Sequence, residues 1–126
     1  MKKFKFRLDR VIKLHNSSKY ELEADLVDIH SDLGTIGAQI ISIRKEIRTY
    51  QITGGLHLVE NYRHHLRKQV SILEKKETEL SELAAQVMAL IADVSSKEKS
   101  LDRLKEKRQQ AHEKEALKKE RRMIDD

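Results

Sequence analysis

Apolar residues in this chain recur at alternating steps of four and three. Before residue 51 they fall at Leu22, Leu26, Ile29, Leu33, Ile36, Ile40, Ile43, Ile47 and Tyr50. That spacing puts one narrow stripe along an α-helix, the seam of a coiled coil. In heptad letters Leu26, Leu33, Ile40 and Ile47 are a, and Leu22, Ile29, Ile36, Ile43 and Tyr50 are d. A second series follows: Val59, Leu66, Leu73, Leu80, Val87, Val94 and Leu101 hold an unbroken a row. Their d partners are Tyr62, Gln69, Lys76, Leu83, Leu90, Lys97 and Leu104. Polar seam residues such as Gln69, Lys76 and Lys97 lower stability but help fix register.

Thr53-Gly54-Gly55 separates the two series and holds the only adjacent glycines in a chain without proline. Across it the phase breaks. The twelve residues from Ile47 to Val59 would turn an unbroken helix's seam by roughly 120–150°. Folding the chain back about Gly54-Gly55 instead aligns d with a, pairing Ile29 with Leu80, Ile36 with Leu73, Ile43 with Leu66 and Tyr50 with Val59. The predicted fold is therefore all-α, a single antiparallel coiled-coil hairpin spanning residues 1–126. Helix 1 covers about residues 3–52, the turn 53–55 and helix 2 about 56–122. The pairing places Arg108 opposite Met1. Residues beyond about 108 form a C-terminal helical overhang that is loosely held.

Several positions interrupt the pattern. His15 and Lys19 occupy seam sites, and Asn16-Ser17-Ser18 favours local backbone bonding over helix, so a soft or bent segment is expected there. Gly34 and Gly37 each cost roughly 1 kcal/mol relative to alanine, and would suit a close backbone approach or a gentle bend. Phe6 lies off the seam. It is a flank of the coil, a frayed end, or an apolar plug for a partner, since aromatic residues among cations are common anchors.

Charge is high and unevenly spread. Charged residues make up 37% and aromatics 4%, which suits a long coiled coil rather than a broad globular core. The net charge of +5 is concentrated at two places. Lys2, Lys3, Lys5, Arg7, Arg10 and Lys13 stand against Asp9 alone, and eight Lys/Arg against four Glu lie between Lys105 and Arg122. The hairpin brings these segments together into a basic terminal end. Arg44, Lys45, Arg48, Arg63, Arg67 and Lys68 make the loop end basic too. Between them Glu21, Glu23, Asp25, Asp28 and Asp32 lie opposite Glu74, Glu77, Glu79 and Glu82. Basic ends can meet an acidic protein surface, nucleic acid or anionic lipid. No recognised nucleic-acid module accompanies them. No apolar run approaches the eighteen residues of a membrane span, and the basic N-terminus lacks the apolar core of a secretory signal.

Candidate chemistry is sparse. His57 and His64, seven apart, could share a helix face beside His65, but no Cys or Asp nearby completes a metal set. Gly54-Gly55 lacks the GK[ST] ending of a phosphate loop. A two-helix coil offers no concave pocket in which carboxylates are desolvated. The chain is therefore read as non-enzymatic, without cofactor, metal or small-molecule substrate. The absence of cysteine excludes disulfide and thiol chemistry.

The opening FKFRLDRVIKL, Phe4 to Leu14, resembles the FxFxLxxVLxLR opening of the FliJ family of flagellar type III export proteins. The closing LDRLKEKRQQAHEKEALKKERRMIDD is similar to that family's charged tail, which tends to end on E-Q-K-x-L-D-E. The chain departs from the pattern at His15, Arg121 and Asp126, where the family often has Arg, Gln and Glu. The match covers nearly the whole chain in length and architecture, with its specific residues at the ends.

The resemblance implies a cytoplasmic coupling protein, peripheral to the inner face of the cell membrane at the flagellar base. It resembles the central shaft of rotary ATPases. Its terminal end would enter the hexameric export ATPase and promote its assembly or activity, and its other end would reach the membrane export gate. Export chaperones are further implied partners. By position, ATPase-ring contact falls to Phe4, Phe6, Arg7, Leu8, Arg10, Val11, Arg103, Lys107, Arg108, Glu120, Arg121 and Asp125. Gate contact falls to residues expected to be exposed near the loop, Leu56, Leu58, Arg63 and Val70; Leu56 and Leu58 equally suit loop-capping. In solution the expected state is a monomer or weak dimer. A generic coiled-coil adaptor or chaperone, binding partners along the acidic middle, is the alternative, and a nucleic-acid-binding coil a further one. The related virulence secretion systems have stalks of the same architecture.

Overall fold

The computed structural model describes residues 4–53 and 57–125, and the side chains of all of these but 51–53, 57, 58 and 125. Two helices, α1 (Asp9–Thr53, 45 residues) and α2 (His57–Asp125, 69 residues), pack against each other. Gly54, Gly55 and Leu56, where the turn is expected, lie outside the described residues. The helix ends beside them fall within a residue or two of the expected bounds. The start of α1 does not. Helix is expected from about residue 3 but begins at Asp9. Phe4, Lys5 and Phe6 have no helical backbone; a turn at Arg7 and Leu8 joins them to α1. The Asp9 N–H donates to the Phe6 carbonyl (3.1 Å), and the Ile12 N–H donates to Leu8 (3.0 Å). Asp9 sits in the first turn, where a carboxylate is favoured by the unpaired N–H groups of a helix start. Asn16-Ser17-Ser18 lies within α1 without a break.

Contacts group into two compact units, Met1–Leu22 with Leu90–Asp126, and Glu23–Ala89. In the unit Glu23–Ala89, α1 turns its expected seam inward. Ile29 and Ile40 are buried, and Leu26, Leu33, Ile36, Ile43, Ile47 and Tyr50 are half-buried. On α2 the expected row Val59, Leu66, Leu73, Leu80 and Val87 also faces inward. Its companion row is different. Arg63, Val70, Glu77 and Ala84 are buried or half-buried, whereas Tyr62, Gln69, Lys76 and Leu83 are exposed, Leu83 to 44%. A helix satisfies a 3-4 seam with a second row three or four residues along from the first, and both rows border it. The inward choice buries Val70 and the small Ala84 and leaves Gln69 and Lys76 in water, where their polar groups need no desolvation.

The pairing moves with the row. Tyr50, expected opposite Val59, meets Tyr62, the ring centres 5.1 Å apart at 76°. Arg44 bonds Glu74 at 2.6 Å. At Gly34 and Gly37 an added Cβ would meet no neighbouring atom within 4 Å, so the expected close backbone approach is absent.

The terminal unit has a more polar seam. Leu8, and Ile12, His15, Lys19 and Leu22 of α1, are half-buried, as are Ile91, Val94, Glu98, Leu101, Leu104 and Lys105 of α2. Leu90 and Lys97, expected inside, are exposed. Lys105 bonds Asp9 at 2.8 Å, and Lys19 stands 3.7 Å from Glu98. Phe6 lies under the Arg108 guanidinium, 5.9 Å from ring centre to Cζ. Arg108 therefore lies against Phe6 rather than Met1, five positions from the fold-back expectation. Phe4 meets His112, with ring centres 5.6 Å apart. Contacts with the segment before α1 thus extend along α2 to His112. Beyond His112, no hydrogen bond, ion pair or ring contact ties α2 to α1 among the described residues.

Candidate interaction surfaces

The segment Phe4–Phe6 turns back onto α2, and this sets the chemistry of the terminal surface. Phe6 is only 5% exposed. It is an internal anchor, not the exposed plug that its place off the seam allowed, because outside the helix its side chain reaches α2 directly. Phe4 is half-buried against His112. Leu8 and Val11 are half-buried in the packed layer. The solvent-facing members of the expected ring-contact set are Arg7, Arg10, Arg103, Lys107, Arg108, Glu120 and Arg121. The side chain of Asp125 lies outside the described residues. Five arginines and a lysine against one glutamate make this surface cationic, so it attracts anionic partners over a Debye length. The exposed apolar side chains of α2 near the C-terminus are Leu117, Met123 and Ile124.

Of the expected gate-contact set, the side chains of Val70 and Arg63 are described, and neither is exposed. Val70 is buried in the seam. The Arg63 side chain is 12% exposed and bonds Glu60, one turn before it on α2. Its Nε is buried without a hydrogen-bond partner. Both residues belong to the row expected on the outside. Leu56 and the side chain of Leu58 lie outside the described residues.

The same unit exposes apolar side chains that neither site set contains: Val27, Ile41, Ile72, Leu83 and Met88. Their signal in the sequence was apolar character away from the row that α1 and α2 each bury. Two open grooves flank the seam here. One is lined by Gln39, Ser42 and Ile43 of α1 with Gln69, Ile72 and Leu73 of α2. The other runs along Gly37, Ile40, Ile41 and Arg44 opposite Glu74, Glu77 and Thr78.

Tyr62 stands at the edge of this unit with its hydroxyl 3.5 Å from Glu46. The Glu46 carboxylate raises the phenol above its ordinary value, and Tyr50 adds to the effect. His65 Nε2 lies 3.3 Å from the Gln69 amide nitrogen. Among the described residues no group of three His, Cys, Asp or Glu side chains could hold a metal ion. No described helix is long and apolar enough to cross a membrane. Comparison with protein-family models, curated proteins and solved structures gives no match.

Proposed function

We propose that this chain is the coiled-coil stalk of a flagellar type III protein export apparatus. Its two helices form an antiparallel coiled-coil hairpin whose terminal end binds the hexameric export ATPase and promotes its assembly or activity. The opposite end serves the membrane export gate, and export chaperones bind the same protein in the cytoplasm. One observation carries the reading. The two stretches that resemble the FliJ family, the Phe4–Leu14 opening and the charged C-terminal segment, lie side by side in one unit. They are joined there by Phe4 with His112, Phe6 with Arg108 and Asp9 with Lys105. A surface built jointly by both ends of the chain suits a shaft tip presented to a ring.

The test is ATP hydrolysis by the cognate export ATPase with and without this protein. Stimulation saturating near one chain per hexamer supports the stalk. Absence of both binding and stimulation, with both proteins folded, removes it. Charge reversal at Arg7, Arg10 and Lys107 should abolish the effect. These residues are exposed, so the fold should survive the change.

A second reading rests on Val27, Ile41, Leu83 and Met88, which are exposed in the unit that holds most of the acidic middle. They suit an adaptor or chaperone that grips partners along its length. That function would be lost on changing these four residues and would be insensitive to the terminal cations.

A further inference from the structure

The structure and the heptad pattern choose different rows of α2, and the difference is informative. Within the unit Glu23–Ala89, the row Val59, Leu66, Leu73, Leu80 and Val87 belongs to both possible seams. The seam in use completes it with Arg63, Val70, Glu77 and Ala84. The unused one completes it with Tyr62, Gln69, Lys76 and Leu83. Each companion row has two apolar or aromatic members and two polar ones. Exchange would bring Leu83 and Tyr62 inward in place of Ala84 and Arg63, and Gln69 in place of Val70. Lys76 and Glu77 are equivalent burdens. Two of these exchanges gain apolar burial and one loses it, so neither row holds all of the apolar side chains.

We infer that in this unit α2 has a second packing register against α1, reached by sliding about one helical turn and rotating by roughly 60°. Local features fit such a movement. The seam in use leaves Arg63 Nε buried with no partner, a cost the other register removes. The groove beside Gln69 and Ile72 gives the incoming row room on one side. On the other, Glu77 already lines an open groove into which it can turn. Gly37, on the same groove, presents no side chain to obstruct passage. Interlocked helices occupy discrete registers rather than a continuum, which makes a one-turn slide a two-state event. Such an element lets binding at one position along the pair be felt at another, provided the partner favours one register.

The experiment uses the absence of native cysteine. Spin labels are placed at the exposed positions Ser31 and Arg67 of the full chain through Ser31→Cys and Arg67→Cys. They are diluted with unlabelled protein, and the distance between them is measured by pulsed electron resonance. The same pair is measured with Gln69→Leu and Lys76→Leu, two exposed positions whose change strengthens the unused row. The expected result is a second distance, displaced by about 6 Å along the helix axis, present in the parent or populated by the double change. Helical content, read by circular dichroism, should be retained. One identical distance in parent and variant overturns the inference.

Discussion

Asp9 and Lys105, ninety-six positions apart in sequence, form an ion pair of 2.8 Å. The contact fixes where the first turn of α1 lies along α2. It has the same offset as the Arg108–Phe6 contact, since Phe6 and Arg108 each stand three residues outward from the pair. Both contacts depend on α1 starting at Asp9 and on the chain before it turning back.

The anchoring role of Phe6 can be measured by denaturant unfolding. Phe6→Ala removes a nearly buried ring and should cost about 3 kcal/mol, at the lower end for such losses because the layer is thin. Arg108→Ala removes only an exposed cation over the ring and should cost about 0.5–1 kcal/mol. Equal costs would contradict the placement of Phe6 as the buried member.

Gly34 and Gly37 lie inside α1 with open space where a Cβ would be. Gly34→Ala and Gly37→Ala should each raise stability by about 1 kcal/mol through backbone entropy alone. Thermal melting tests this directly. A loss of stability in either would mean that something approaches that face closely.

The Lys19–Glu98 pair lies in the seam, with the Glu98 side chain 14% exposed. Its Oε1 is buried without a hydrogen-bond partner. Glu98→Leu should be neutral or stabilising. Lys19→Ala leaves the carboxylate uncompensated and should destabilise by about 1–3 kcal/mol. The difference between the two variants in urea midpoint is the readout, and a reversed order would refute the account.

Tyr62 should titrate above the ordinary phenol range because Glu46 disfavours the phenolate. A raised value in the folded state means that its contribution to stability is fully present below the unfolded pKa, about 10. The contribution is lost as pH rises through the folded pKa. Ultraviolet titration of the parent against Tyr62→Phe isolates the group. Glu46→Gln should move its transition to lower pH; an unchanged transition would assign the shift elsewhere.

The choice of row on α2 gives a direct comparison. Leu83→Lys, at an exposed site, should cost less than about 1 kcal/mol. Val87→Lys places an ammonium in the seam and should cost about 3 kcal/mol or more. Similar costs at the two sites would mean that Leu83 also packs inward.

The sequence by itself determined the two helices and the whole inner face of α1. Leu22 through Tyr50 repeat in only one phase, so one stripe of that helix can be buried. It likewise determined the shared row of α2 from Val59 to Leu101, and the cationic character of Arg7, Arg10, Lys107 and Arg121. Only the tertiary structure decided whether Gln69 or Val70, and Leu83 or Ala84, completes the second seam. Adjacent rows of one helix differ by a single position, and their preference depends on how closely the facing helix lies. It also decided the axial offset that sets Arg108 on Phe6, because heptad repeats specify rows but are indifferent to sliding by whole layers. The burial of Val70 and Arg63 follows from the choice of row, and that of Phe6 from the turn of the chain before Asp9 back onto α2. Both are settled by the packing of side chains distant in sequence, which no local spacing records.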